Sequence, residues 1–152
     1  RGIPQLYYGT EILMKNFKNP TDAEVRKDFP GGWKEEPVSK FSKEGRTAQE
    51  QEAFTYVAAL ANFRKTSSAI TKGKLMQFVP KDGLYVYFRY DAAQTVLVIS
   101  NTGTKAISPD WDMLKERTGG FTQMKNTVTG EILPLKGFEI KPNESFVFEL
   151  IK

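Results

Sequence analysis

Residues 75–90 read Leu-Met-Gln-Phe-Val-Pro-Lys-Asp-Gly-Leu-Tyr-Val-Tyr-Phe-Arg-Tyr, two short apolar and aromatic runs flanking Pro80-Lys-Asp-Gly83. An Asp-Gly pair between such runs is a strong hairpin signal, because both residues tolerate the positive φ that a tight connection demands. Leu75–Val79 and Leu84–Tyr90 are therefore expected as paired antiparallel strands. Alternation puts Tyr85 and Tyr87 on one face and Leu84, Val86 and Phe88 on the other, and one set must make a core. Further β-type runs follow at 95–100, 121–125, 131–135, 138–140 and 145–150, broken by Asn101-Thr-Gly103, Gly119-Gly120, Thr129-Gly130 and Pro142-Asn143. This spacing predicts an antiparallel β-sandwich of roughly seven or eight strands over residues 72–152.

Residues 1–71 have a different character. Thr47-Ala-Gln-Glu50 is a capping box, so a helix should start there, with Phe54, Val57, Ala58 and Ala61 at helical spacing. Leu60 and Phe63 widen the apolar stripe, and Arg64 and Lys65 suit the negative end of the helix dipole. Before it, residues 12–46 contain Asn16, Asn19-Pro20, Pro30-Gly31-Gly32 and Pro37 with no sustained periodicity. A structureless stretch of that length inside a compact domain is uncommon and is usually a functional loop. The chain opens Arg1-Gly-Ile-Pro-Gln-Leu-Tyr-Tyr-Gly-Thr-Glu11, where Ile3, Leu6, Tyr7 and Tyr8 make a nearly continuous apolar run. That is the pattern of a parallel strand buried on both faces. No run in the first seventy residues could pair with it, so the chain reads as the tail of something larger, and the open strand edges invite pairing with a second copy.

Composition excludes several chemistries. The 152 residues contain no Cys and no His, which removes disulfides, thiolate nucleophiles, imidazole metal sites and His-based triads. The absence of Cys is compatible with either cytoplasm or periplasm. The formal charge of +4 arises from 22 basic and 18 acidic residues spread along the chain, without the patch or stripe that nucleic-acid binding requires. No apolar run approaches the length of about 18 residues that suggests a transmembrane helix. The close acidic pairs Glu35 with Glu36 and Asp110 with Asp112 read as solvated loop charges rather than catalytic pairs.

Gly2-Ile-Pro-Gln-Leu-Tyr-Tyr-Gly-Thr-Glu11 resembles the eighth barrel strand of the α-amylase family of glycoside hydrolases. Asp22-Ala-Glu-Val-Arg-Lys-Asp-Phe-Pro-Gly-Gly-Trp33 is similar to the neopullulanase and cyclomaltodextrinase branch of that family (glycoside hydrolase family 13), and the likeness continues through Glu44-Gly-Arg-Thr-Ala-Gln-Glu-Gln51, Asn62-Phe-Arg-Lys65 and the β-rich tail. The resemblance implies an α+β chain: residues 1–71 as the last strand, loop and helix of a (β/α)8 barrel, and residues 72–152 as an all-β C-terminal domain. It further implies a parent acting on α-glucan oligosaccharides by a retaining mechanism, whose Asp nucleophile and Glu acid lie on barrel strands absent here. No cofactor is expected in this chain, and a calcium requirement of the parent is left open.

The same resemblance implies that Asp22 and Arg26 contact sugar hydroxyls on the non-reducing side of the cleavage point. A carboxylate accepting from neighbouring hydroxyls and a guanidinium donating to their oxygens suit a polyol. Spacing alone favours an Asp22 to Arg26 ion pair on a short surface turn, and only the resemblance turns the reading toward a sugar contact. Trp33 either stacks on a sugar ring or staples its loop to the barrel. The rival reading of the chain is a non-catalytic carbohydrate-binding or structural β-module, with Tyr85, Tyr87 and Tyr90, together with Phe78 and Phe88, as a stacking platform.

Overall fold

A computed structural model describes residues 3–152, so Arg1 and Gly2 of the expected first strand lie outside the described residues. The chain forms two units, Arg1–Ala58 and Ala59–Lys152.

The second unit is built on one antiparallel sheet of six strands: β1 (Lys74–Gln77), β2 (Leu84–Tyr90), β3 (Thr95–Asn101), β4 (Gln123–Asn126), β5 (Ile132–Pro134) and β6 (Ser145–Ile151). Their spatial order is β1-β2-β3-β6-β4-β5. The 80–83 turn behaves as its residues require: Asp82 and Gly83 have φ of 52° and 84°, and Lys81 and Leu84 exchange backbone hydrogen bonds of 3.0 and 2.8 Å. Two successive left-handed residues are the signature of the tight turn whose twist matches that of the strands.

Register explains the core. Phe88 pairs with Leu97 and Leu97 with Phe148, while Val86 pairs with Ile99 and Met124 with Leu150. These side chains share one face, and all are buried, Phe88, Leu97 and Phe148 completely. Leu114, Leu135 and Ile140, from the segments between strands, pack on that face. Phe138 adds edge-on contacts to Phe146 and Phe148 at 5.4 and 5.3 Å. The second layer is thus made by connecting segments, and the two-sheet sandwich of seven or eight strands is corrected to a single sheet. The run at 138–140 contributes only the isolated bridge between Ile107 and Ile140. Its partner segment, with Pro109 and a short helix α3 (Lys115–Thr118), has no strand periodicity to extend the pairing. Buried Asn101 anchors this layer by donating to the carbonyls of Lys105 (2.8 Å) and Ile140 (3.0 Å) and accepting from the Gly103 amide (2.9 Å).

On the opposite face a four-residue helix, α2 (Ser68–Thr71), packs against β2 and β3 with Ala69 fully buried. Arg89 donates to the carbonyls of Ala69 (3.3 Å), Ile70 (2.9 Å) and Gly73 (2.8 Å), capping the helix end with a guanidinium. Asp91 organises the β2–β3 turn by accepting from the amides of Ala93 and Gln94, both at 2.8 Å.

In the first unit the capping box forms: the Thr47 amide donates to the Glu50 carboxylate (2.7 Å) and the Glu50 amide to the Thr47 hydroxyl (3.3 Å). Helix α1 (Ala48–Thr66) follows, its residues from Ala59 onward belonging to the second unit, and none of its residues is fully buried. The expected first strand is not formed in this chain. Residues 3–9 are irregular, with Ile3 95 % exposed and Leu6 66 %. A strand exists only where neighbouring backbone completes its hydrogen bonds, and every described strand lies at or beyond Lys74 in an antiparallel sheet.

Phe148→Ala should cost about 3–5 kcal/mol, the usual penalty for emptying a closed aromatic site, read as a lower urea midpoint. The Asp91 carboxyl is held below the usual carboxylate range, first by the Ser68 hydroxyl and then by the Ala93 and Gln94 amides. A depressed carboxylate stabilises the fold above its unfolded pKa of about 4, and that contribution is lost as pH falls through the folded value. Urea midpoints measured from pH 7 down to 3 should therefore fall less steeply for Asp91→Asn than for the parent sequence.

Candidate functional site

The loop region of the first unit begins with a reversal after Tyr8. Gly9 takes φ of 82°, a conformation open to glycine, and the Met14 side chain occupies the space a Cβ would need. The Gly9 carbonyl accepts from Ile12 (3.2 Å) and Met14 (2.8 Å), which closes a single turn around buried Ile12. A second turn, Asp22–Val25, is tied back to the first part of the chain by two long-range bonds. Tyr8 donates its hydroxyl to the Lys27 carbonyl (2.9 Å), and Asn16 donates its amide to the Glu24 carbonyl (2.7 Å).

Between these segments lies a cavity of about 520 Å³, lined by Tyr7, Tyr8, Lys15, Asn16, Glu24 and Arg26 among others. Tyr7 and Tyr8 lie 4.6 Å apart, tilted by 36°. Desolvation and the neighbouring Tyr7 hydroxyl push the Tyr8 phenol upward, so it stays a protonated donor at neutral pH. Arg26 lines this cavity, and Asp22 does not. The alternative Asp22 to Arg26 ion pair is not formed: Asp22 pairs with Lys18 at 3.1 Å. The reason is local, since the turn is a 3-10 segment and Arg26 leaves it at φ −120°, ψ 35°, which breaks the geometry that brings i and i+4 together.

Trp33 sits outside the cavity lining and is 62 % exposed. Its indole N–H donates to Asp28 at 2.9 Å, and its backbone amide, with that of Gly31, donates to the Glu36 carboxylate at 3.0 and 2.8 Å. The edge of the ring is pinned within its own loop. Glu36 is thereby a loop organiser, and Asp110 likewise accepts from the amides of Asp112 (3.1 Å) and Met113 (3.2 Å). Glu24, the acidic residue of the cavity lining, pairs with Lys27 at 3.4 Å. An arrangement of phenols, cations and an amide around one carboxylate suits hydrogen bonding to hydroxyls, whereas glycoside cleavage calls for two opposed carboxyl groups. Among the described residues no group of His, Cys, Asp and Glu could hold a metal ion, and no helix is long and apolar enough to cross a membrane.

The sequence points to Arg26 but not to Lys15, Asn16 or Lys27, and Tyr7 and Tyr8, expected in a strand buried on both faces, line the cavity. The bond from Tyr8 to Lys27 spans 19 positions and has no local signature.

Comparisons with known proteins show what the chain is similar to. A family model described as the cyclo-malto-dextrinase C-terminal domain matches residues 75–149. The cyclomaltodextrin glucanotransferase of Klebsiella oxytoca is 32% identical over 103 residues, 68% of this chain. The chain spans only 14% of that protein's length. Among solved structures, the α-amylase of Geobacillus thermoleovorans, complexed with acarbose, aligns with a TM-score of 0.65 at 16% identity, covering 99% of this chain and 30% of that one. The trehalose-6-phosphate hydrolase of Bacillus licheniformis, as its R201Q mutant, aligns with a TM-score of 0.51 at 29% identity, covering 77% of this chain and 22% of that one. Residues 75–149 thus match the cyclo-malto-dextrinase C-terminal domain family, and the chain as a whole is similar to enzymes of the α-amylase family.

Proposed function

We propose that this chain is the C-terminal portion of an α-glucan hydrolase of the neopullulanase or cyclomaltodextrinase type, with residues 1–71 completing a (β/α)8 barrel and residues 72–152 forming a stabilising β-domain. The observation that carries the reading is the unburied apolar surface of the first unit. Among the described apolar side chains up to Ala58, only Ile12 is fully buried, while Ile3, Leu6, Leu13, Phe17, Phe41 and Tyr56 stand exposed. Exposed apolar surface on that scale marks an interaction site. Barrel strands and helices of a longer protein would cover it, and the small fraction of each relative that this chain spans supports the same reading. In that setting the loop after the strand lies on the C-terminal face of the barrel, where active sites sit.

Asp22 and Arg26 are then substrate contacts, with Arg26 reaching sugar hydroxyls from the Tyr8-anchored turn and Asp22 exchanging Lys18 for a sugar. Trp33, pinned by its indole N–H, keeps a ring face free for stacking. The retaining mechanism, with its Asp nucleophile and Glu acid, belongs to the part of the enzyme outside this chain.

Two outcomes follow. The purified chain should show no hydrolysis of pullulan, cyclodextrin or starch above buffer background, because the residues before the β-domain fall far short of the roughly 250 a barrel needs; reproducible turnover free of contaminating amylase would contradict it. In a full-length enzyme containing this sequence, Asp22→Ala or Arg26→Ala should lower kcat/KM about 10-fold or more, as expected for losing charge-assisted bonds of about 1.5–3 kcal/mol. Unchanged kinetics in a folded variant would return both residues to a surface role.

A further inference from the structure

The sheet face opposite the core is only partly covered. At one end, α2 and Arg89 lie over Val96, which is fully buried. The next two rows are different. Gln77, Tyr87, Val98 and Val147 stand side by side across four strands, and Tyr85, Ser100 and Ser145 form the row beside them. None of these seven side chains is fully buried. The Tyr85 and Tyr87 rings lie 5.5 Å apart, tilted by 40° to one another. The Tyr85 hydroxyl donates to the Gln77 carboxamide oxygen (3.1 Å), and Gln77 is exposed, so its amide N–H groups face outward. The Ser100 and Ser145 hydroxyls share a bond of 2.7 Å at the surface, which leaves lone pairs for a further donor.

We propose that this platform is a second carbohydrate-binding surface, specific for α-linked glucan chains; the choice of glucan rests on the function proposed above. Three features select a neutral, curved polyol. The two rows carry no charged side chain; in the next row Arg89 is held by three carbonyls and Glu149 by the Gln94 amide, and exposed Lys125 lies beyond Glu149 on β4. A charged partner gains nothing from the two rows themselves, whereas sugar hydroxyls find Gln77, Ser100 and Ser145. Two adjacent aromatic rings offer apolar faces to the C–H faces of successive sugars, and such amphipathic rings suit surfaces that are half apolar and half wet. The mutual tilt of the rings follows a chain that turns from one unit to the next, as α-1,4-glucan does. A flat β-1,4-glucan ribbon would stack on one ring and leave the other.

The test is titration of the full 152-residue chain with maltoheptaose and with cellohexaose by calorimetry, with the tyrosine ring resonances followed by NMR. The expected result is binding of maltoheptaose at least 10-fold tighter than cellohexaose, shifts at Tyr85 and Tyr87, and a loss of at least 10-fold in Tyr85→Leu and Tyr87→Leu. Leu retains apolar packing but removes the flat ring, and the resonance shifts of the unsubstituted chain report the site even where a variant folds poorly. No binding, binding that leaves both rings unshifted, or Leu variants that bind normally would each overturn the proposal. So would protection of both rings in a dimer of this chain, seen by light scattering. Equal binding of cellohexaose through the same rings would overturn the α-glucan specificity. The enzyme reading stands or falls separately, on the Asp22 and Arg26 kinetics.

Discussion

The insertion of β6 between β3 and β4 is the constraint on which the β-domain depends. β1, β2 and β3 form a meander of neighbours, and β4 with β5 forms a separate hairpin, so the two are joined into one sheet only when the C-terminal strand pairs with both. Phe148 marks the join: on one side its partner is Leu97, on the other Asn126, and its ring sits against Phe146 and Phe138. The segments that close the core, with Leu114, Leu135 and Ile140, have a complete surface to pack on only after that strand is in place. Non-local pairing of this kind incurs its loop entropy before its contacts form. The domain is therefore held by its last residues.

Local chemistry was legible in the sequence and non-local chemistry was not. The Asp82-Gly83 turn, the alternation of β2 and the Thr47 to Glu50 capping box are each encoded within a few residues, and the structure has all three. The number of strands was overstated because apolar runs such as 138–140 look alike whether they pair along a ladder or merely drop Ile140 into a core. Buried Asn101, which ties that segment down, carries no signal beyond a turn residue in an Asn-Thr-Gly triplet. The apolar run at residues 3–8 shows the opposite case: its composition is that of a buried strand, but a strand also requires backbone partners, and no described residue supplies them.

The two units stand in different physical conditions. The second has a closed core and a fully bonded buried Asn101; the first has apolar side chains facing water and a cavity lined by phenols, Lys15, Asn16, Glu24 and Arg26. Of the site residues drawn from the family resemblance, Arg26 lines that cavity, whereas Asp22 and Trp33 are held by Lys18 and Asp28. Spacing alone could not distinguish these arrangements, because the turn that carries Asp22 and Arg26 is not α-helical. A hydrogen-bonding cavity beside unburied apolar surface fits the proposed function, in which the rest of a longer enzyme shelters this loop.

The most direct test is amide hydrogen exchange on this chain and on a full-length enzyme that contains it, compared peptide by peptide. The account predicts that residues 3–13 exchange rapidly in the 152-residue chain while β2, β3 and β6 are protected, and that the same amides become protected in the longer protein as the first strand gains its partners. Rapid exchange of residues 3–13 in both proteins, or protection of residues 3–8 in the 152-residue chain as a monomer, would contradict it.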